Sequence, residues 1–210
     1  YPIAITERLF KWPLIEGGLV CPPRYPQDQQ DAIYDLVALV AKVIGIKFGV
    51  FKCDIGITPD QKLIVLECTA RLSGGFDCQY LQPLVYGNNP IKAAMLLALD
   101  EELDYASMSY SWLRHGVSLN AFPEPGFLMS YNELLDTPDR IVIWRKRLGE
   151  QIGPYIDCAE RPVFVITIAD THAQALAKAE AAIVEMQIRT EPTILASSAL
   201  AFESLARSTN

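Results

Sequence analysis

The sequence predicts an α+β fold on a mainly antiparallel sheet with packed helices. Three observations lead there. Strand patterns at 48–57 and 62–68 are joined by a turn short enough for a hairpin. Strands and helices mix without repeating as βαβ units. The stretch from 112 to 188 runs strand, strand, strand, helix, as a second sheet-and-helix unit would.

YPIAITERLF (1–10) reads as a strand with Ile3, Ile5 and Leu9 on one side. KWPLIEGGLVCPPRYP (11–26) reads as a loop, because its prolines and Gly pair interrupt any period. From Asp28 to Ile44 the residues Ile33, Leu36, Val37, Val40, Ala41 and Ile44 recur at helical spacing, and Gly45 is a natural stop. The strands 48–57 and 62–68 follow, joined by TPDQ, where Pro59 and Asp60 are turn formers. A second helix is predicted over 89–103, capped by Asn89 with Pro90 at its first position. SWLRHGVSLNAF is a strand, PEPGF a break, and IVIWRKRL and RPVFVITIAD are strands. An Ala-rich helix over 171–188 starts at Thr171, and helical character continues from Glu191. The expected division is 1–110, 111–190 and a tail, 191–210.

Length and composition set outer bounds. The 210 residues allow one large domain or two small ones, either with a real core. Half are apolar and a fifth charged, as in water-soluble domains. A net charge of -7 and a pI of about 4.9 provide no electrostatic footprint for nucleic acid or anionic membrane. An anionic ligand would therefore need a metal or a single Arg to hold it. Five cysteines without a CxxC pair argue against a disulfide framework or structural zinc. No apolar run approaches bilayer length and no signal peptide is recognised, so the expected location is cytoplasmic. The chain begins at Tyr1, already in strand-like sequence, and is expected to be part of something longer.

The chemistry concentrates on the hairpin. Alternation puts Val50, Lys52, Asp54 and Gly56 on one face of the first strand, and Leu63, Val65, Glu67 and Thr69 on one face of the second. With a four-residue loop, Pro59–Lys62, Thr58 pairs with Leu63 and Asp54 falls directly opposite Glu67. Opposed carboxylates repel, and a divalent cation removes that cost, since Mg²⁺ favours one or two carboxylates plus substrate phosphates. Arg71 continues the alternation and presents a planar fork suited to phosphate. Ser73, Gly74 and Gly75 would let backbone N–H groups approach an anion. A solvated sheet face fits the same two carboxylates equally well. An ordinary surface ion pair would account for Arg71, and a simple turn for the glycines.

GVFKCDIGI (49–57), a short loop and LIVLECTARLSGG (63–75) resemble the two metal-bearing strands of ATP-grasp enzymes. SGGFDCQYLQPLVYGNNPIKAAMLLALDEEL (73–103) resembles that family's continuation, and RPVFVITIAD with the helix after it resembles the carboxy-terminal cap of its carboxylase-like branch. The likeness covers roughly residues 1–190 and is strongest over 46–100. It implies a catalytic-lobe fold with a sheet-and-helix cap, Mg²⁺ or Mn²⁺ and ATP as cofactors, and a small carboxylate as substrate. The carboxylate would be activated as an acylphosphate for attack by an amine or another nucleophile.

Residue by residue, the resemblance makes Asp54 and Glu67 metal ligands, and Arg71 the catalytic residue facing the transferred phosphoryl group. Lys52, Ser73, Gly74 and Gly75 would assist in holding the nucleotide. Thr69 stands where the family usually has a metal-binding Asn, and its hydroxyl would serve as ligand or hold a bound water. Arg8 and Lys11 are weaker candidates to reach the site, and His115 and His172 carry no pairing signal. Neither nucleic acid nor membrane is expected as a partner, while a homodimer is allowed. The family's adenine-gripping lobe has no counterpart here, so the 210 residues alone are expected to bind nucleotide weakly and not to turn over. The competing reading is a non-catalytic ATP-grasp-derived binding or assembly module.

Overall fold

In the computed structural model, residues 1–108 and 111–192 are described. Their elements in chain order are β1 (Glu7–Trp12), β2 (Ile15–Cys21), α1 (Gln27–Val43), β3 (Lys52–Ile57), β4 (Leu63–Thr69), α2 (Gln82–Tyr86), α3 (Pro90–Ala98), β5 (His115–Asn120), β6 (Gly126–Ser130), β7 (Arg140–Trp144), β8 (Gln151–Ile152), β9 (Val163–Ala169), α4 (His172–Glu185) and β10 (Arg189–Glu191). A π-helical turn, Asp77–Leu81, leads directly into α2. The strands form a five-stranded sheet ordered β1-β2-β5-β9-β7, a three-stranded sheet β10-β6-β8, and the separate pair β3-β4. The β3–β4, β6–β8, β6–β10 and β7–β9 pairs are antiparallel, so the mixed α/β character with mainly antiparallel pairing agrees with expectation. Beyond Pro192 the tail lies outside the described residues. No helix among the described residues is long and apolar enough to cross a membrane.

The chain divides into two units. One holds Tyr1–Glu7 and Val20–Gly116, the other Arg8–Leu19 and the residues from Val117 onward. A single cut near residue 110 was expected, but residues 8–19 go with the carboxy-terminal part. They do so because β1, which begins within the predicted strand 1–10, and most of β2, where the sequence suggested a loop over 11–26, are strands of the five-stranded sheet. The Gly pair that looked like a loop signal has a packing cause. A Cβ on Gly18 would lie 2.4 Å from the Ser118 carbonyl oxygen, so only glycine lets β2 approach the β5 backbone. The residues of β2 are nearly all buried, which erases the alternation by which an isolated strand is recognised.

In the first unit, α1 matches its predicted span to within a residue and ends in a Schellman motif. Gly45 N–H donates to Lys42 O and Ile46 N–H to Ala41 O, with Gly45 at φ 82°. Its predicted apolar stripe is the covered side only in part: Ile33 is buried, whereas Ile44 is 54% exposed. α3 starts as predicted, with the Asn89 side chain accepting from Lys92 N–H at 2.9 Å, but stops at Ala98 rather than 103. The stop is a second Schellman motif, in which Asp100 N–H reaches Leu97 O and Glu101 N–H reaches Leu96 O. Asp100 takes the left-handed position at φ 56° that Gly usually fills.

In the second unit β9 is buried at every residue and packs beneath α4. Ala175, Ala179 and Ala182 form the helix face turned inward, and their small side chains allow close approach; the Thr167 hydroxyl donates to the Ala175 carbonyl at 2.7 Å. Thr171 caps α4 by accepting from Gln174 N–H, as expected. Arg161, nearly buried, is held by Glu16 Oε1 at 2.8 Å, by the Cys158 carbonyl at 2.9 Å and by the Phe164 ring beneath its guanidinium.

Two carboxylates near the surface of this unit predict its acid behaviour. Lys146 and the Gly153 N–H hold Glu160 below its ordinary 4.5, and Lys178 and the Thr137 hydroxyl hold Asp139 below 3.8. A lowered folded value means stability that is fully present above the unfolded carboxylate value and lost as pH falls through the folded one. Unfolding midpoints measured from about pH 5 down to about pH 3 are therefore expected to fall. Glu160→Gln should lie below the parent at pH 7 and converge on it at pH 3; parallel curves would rule out this origin.

Candidate metal centre

The β3–β4 hairpin brings four of the predicted site residues together through a register the sequence did not foresee. The turn is five residues long, because Ile57 rather than Thr58 pairs with Leu63. Gln61 N–H donates to Thr58 O at 2.9 Å, Gln61 lies at φ 63°, and Thr58 N–H then donates to Lys62 O. This is a type I turn closed by a left-handed residue. Carried along the ladder unchanged, that register would set Asp54 opposite Leu66 and send Glu67 to the other face. A β-bulge between Asp54 and Ile55 absorbs one residue of β4, and the pairs become Asp54–Glu67, Cys53–Cys68 and Lys52–Thr69. The opposed carboxylates thus stand as expected, for a different reason. The same bulge divides the predicted face: Leu63 and Val65 pair with Ile57 and Ile55, on the side of Cys53, while Glu67 and Thr69 share the side of Lys52 and Asp54.

On the acidic face Lys52 Nζ lies 2.7 Å from Asp54 Oδ1, with both side chains 16% exposed. The Thr69 hydroxyl donates to Glu67 Oε1 at 2.8 Å, which aims the carboxylate from its own strand. On the reverse face the Cys53 and Cys68 sulfurs are 3.3 Å apart. Burial, then the hydrogen bond with Cys68 and its charge, then the Asp54 charge push the Cys53 thiol up to about 12.

The donor set suits a hard cation. Asp54, Glu67 and Thr69 supply only oxygen, and two carboxylates completed by phosphate and water is a usual Mg²⁺ arrangement. Among the described residues no three His, Cys, Asp or Glu side chains gather to hold a metal without such help.

The remaining predicted residues sit beyond the strand. β4 ends at Thr69, so Arg71 is placed by a bend rather than by strand alternation; its guanidinium is exposed and donates to the Leu72 carbonyl at 2.9 Å. Ser73 leads into a turn over 74–76, closed by Asp77 N–H donating to Gly74 O at 3.2 Å; Gly75 has φ 65° and Gly74 has open space where a Cβ would stand. Arg8 pairs with Glu16 at 3.3 Å and Lys11 lies over the Trp12 ring, all within the second unit. His115 begins β5 and His172 begins α4.

A group the sequence did not single out anchors the turn. Asp77 is 1% exposed; the Thr6 hydroxyl lies 3.2 and 3.3 Å from its two oxygens, and the Gln82 amide donates to Oδ2 at 2.8 Å. The buried Cys21 thiol donates to the Ile5 carbonyl in the same cluster, and burial together with the Asp77 charge drives its pKa upward. The only local signal was a lone carboxylate in FDCQYLQ, where the neighbouring pattern is apolar.

No family model matches the chain, and no curated protein does either. Solved structures do. Residues covering 88% of this chain superpose on 48% of phosphoribosylglycinamide synthetase from Anaerococcus prevotii, with a TM-score of 0.76 and 17% identity. An L-amino acid ligase from Bacillus licheniformis matches over 84% of this chain and 44% of its own, with a TM-score of 0.72 and 18% identity. The biotin carboxylase domain dimer of 2-oxoglutarate carboxylase from Hydrogenobacter thermophilus, solved with MgADP, ADP and bicarbonate, matches over 89% and 42%, with a TM-score of 0.69 and 16% identity. These are ATP-grasp enzymes, and the chain has their fold. It spans less than half the length of each.

Proposed function

We propose that this chain is the metal-binding, carboxy-terminal part of an ATP-dependent ligase that activates a small carboxylate as an acylphosphate for attack by an amine or another nucleophile. One observation carries the reading: in a chain with this fold, the bulged hairpin sets Asp54 directly opposite Glu67. Mg²⁺ or Mn²⁺ would be held by these two carboxylates with Thr69 beside them, and supplies charge neutralisation on the phosphates of ATP when bound. Lys52, now paired with Asp54, keeps that carboxylate oriented and would turn to phosphate as the cation takes its place. The exposed Arg71, whose guanidinium donates to the Leu72 carbonyl, would turn its fork to the transferred group. Ser73 and the turn that begins at Gly74 would offer backbone N–H groups to the same anion. The chain's own work is thus positioning and charge compensation, without a covalent nucleophile.

The reading extends to a cytoplasmic enzyme whose partners are ATP and a carboxylate, with no nucleic acid. The Hydrogenobacter domain is described as a dimer, which supports keeping a homodimer in it. The second reading, a non-catalytic binding or assembly module, is favoured by Thr69 in place of the usual Asn.

Thermal unfolding of the intact protein tests both. Mg·ATP at about 100 times its Kd is expected to stabilise by about 2.7 kcal/mol, and the double variant Asp54→Asn, Glu67→Gln to lose that gain. An unchanged midpoint with Mg·ATP overturns the ligase reading and leaves the module only its assembly role. A midpoint gain without ADP release on any of a panel of small carboxylates selects the module.

A further inference from the structure

We propose that Cys53 and Cys68 form a cross-strand disulfide that locks the register of the hairpin beside its carboxylates. The pair is directly opposed in the ladder, and its sulfurs already touch at 3.3 Å. Bonding requires them to close by about 1.3 Å, to the 2.05 Å of a disulfide, within the play of two χ1 rotations. Both residues are half-buried rather than sealed in the core, so a small reagent reaches them, and both are free thiols here.

The location gives the bond a consequence. Cys53 precedes Asp54 and Cys68 follows Glu67, and the neighbouring bulge is where the ladder changes register. A slip of one residue there would carry Glu67 to the opposite face from Asp54. Among the described residues β3 and β4 pair with no further strand, so no third strand of these residues pins that register. The covalent link would hold it. This role stands independently of the nucleotide reading, because it depends only on the ladder.

The oxidant is a low-molecular-weight disulfide such as oxidised glutathione. One cysteine, as thiolate, attacks a glutathione sulfur and expels one glutathione thiolate. The other then attacks the mixed disulfide, forms the Cys53–Cys68 bond and releases the second glutathione. Two protein thiols are oxidised and one disulfide is reduced to two thiols, whose sulfurs take up the two protons.

The test treats the reduced intact protein with oxidised glutathione at about pH 8.5, over a time course long enough for the small thiolate fraction of a thiol held near 12 to react. Intact mass is expected to show the loss of two hydrogens with no glutathione retained, and a non-reduced peptide map to link Cys53 to Cys68. The unfolding midpoint should rise by about 5 °C and return on addition of dithiothreitol. Cys53→Ser should instead retain glutathione on Cys68; if this variant fails to fold, the map of the parent protein decides alone. Persistent mixed disulfides in the parent, linkage to another cysteine, or a Cys53–Cys68 link that leaves the midpoint unchanged or lower would each overturn the proposal.

Discussion

Under the proposed ligase function, replacing Glu67 by Gln is expected to slow ADP release by the intact protein by at least about 100-fold, at saturating Mg·ATP and carboxylate. The change preserves shape and keeps an acceptor for the Thr69 hydroxyl, which lies 2.8 Å from Glu67 Oε1, so the fold is not the casualty. What disappears is one of two opposed negative charges. If the pair holds the cation as proposed, the one carboxylate left would bind it more weakly, and the phosphates would lose the charge compensation that phosphoryl transfer needs. Raising Mg²⁺ should restore part of the rate, which a merely structural defect would not allow. Thr69→Ala acts through the aim of Glu67 and should cost about tenfold. Equal rates for parent and Glu67→Gln across a Mg²⁺ titration would remove the metal assignment.

Asp77→Ala is expected to destabilise the first unit by about 3 kcal/mol, or roughly 5–10 °C in its unfolding midpoint. Asp77 is 1% exposed, and truncation leaves the buried Gln82 amide without this acceptor and the part-buried Thr6 hydroxyl with only the Cys21 sulfur at 3.9 Å. Asp77→Asn keeps an acceptor for Gln82 and should lose about half as much. Thr6→Val removes one partner and spares the other, so its cost should be the smallest of the three. Urea unfolding of the three variants measures this order. An unaltered midpoint for Asp77→Ala would mean that the cluster contributes nothing to stability.

What was legible in the sequence was chemistry enclosed within a few residues. Helix α1 with its Gly45 stop, the Asn89 and Thr171 caps and the hairpin itself depend on contacts between near neighbours, so residue type and spacing suffice. Even there, one register step escaped. Gln61 took a left-handed conformation that Gly or Asn usually signals, and the bulge that compensated has no marker in LIVLEC. Asp100 hid the end of α3 in the same way.

Tertiary structure decided everything set by distant backbone. Gly17 and Gly18 are turn formers by composition, yet Gly18 is strand, because the β5 carbonyl at Ser118 leaves no room for a side chain. Residues 8–19 join the second unit because the sheet that claims them is completed more than a hundred residues later. Asp77 is anchored by Thr6, 71 positions away, a partner that no local pattern could reveal. The carboxylates Asp54 and Glu67 lie on a local ladder and could be read; whether a chain segment is covered or solvated depends on surfaces that meet only after folding, and spacing carries no record of them.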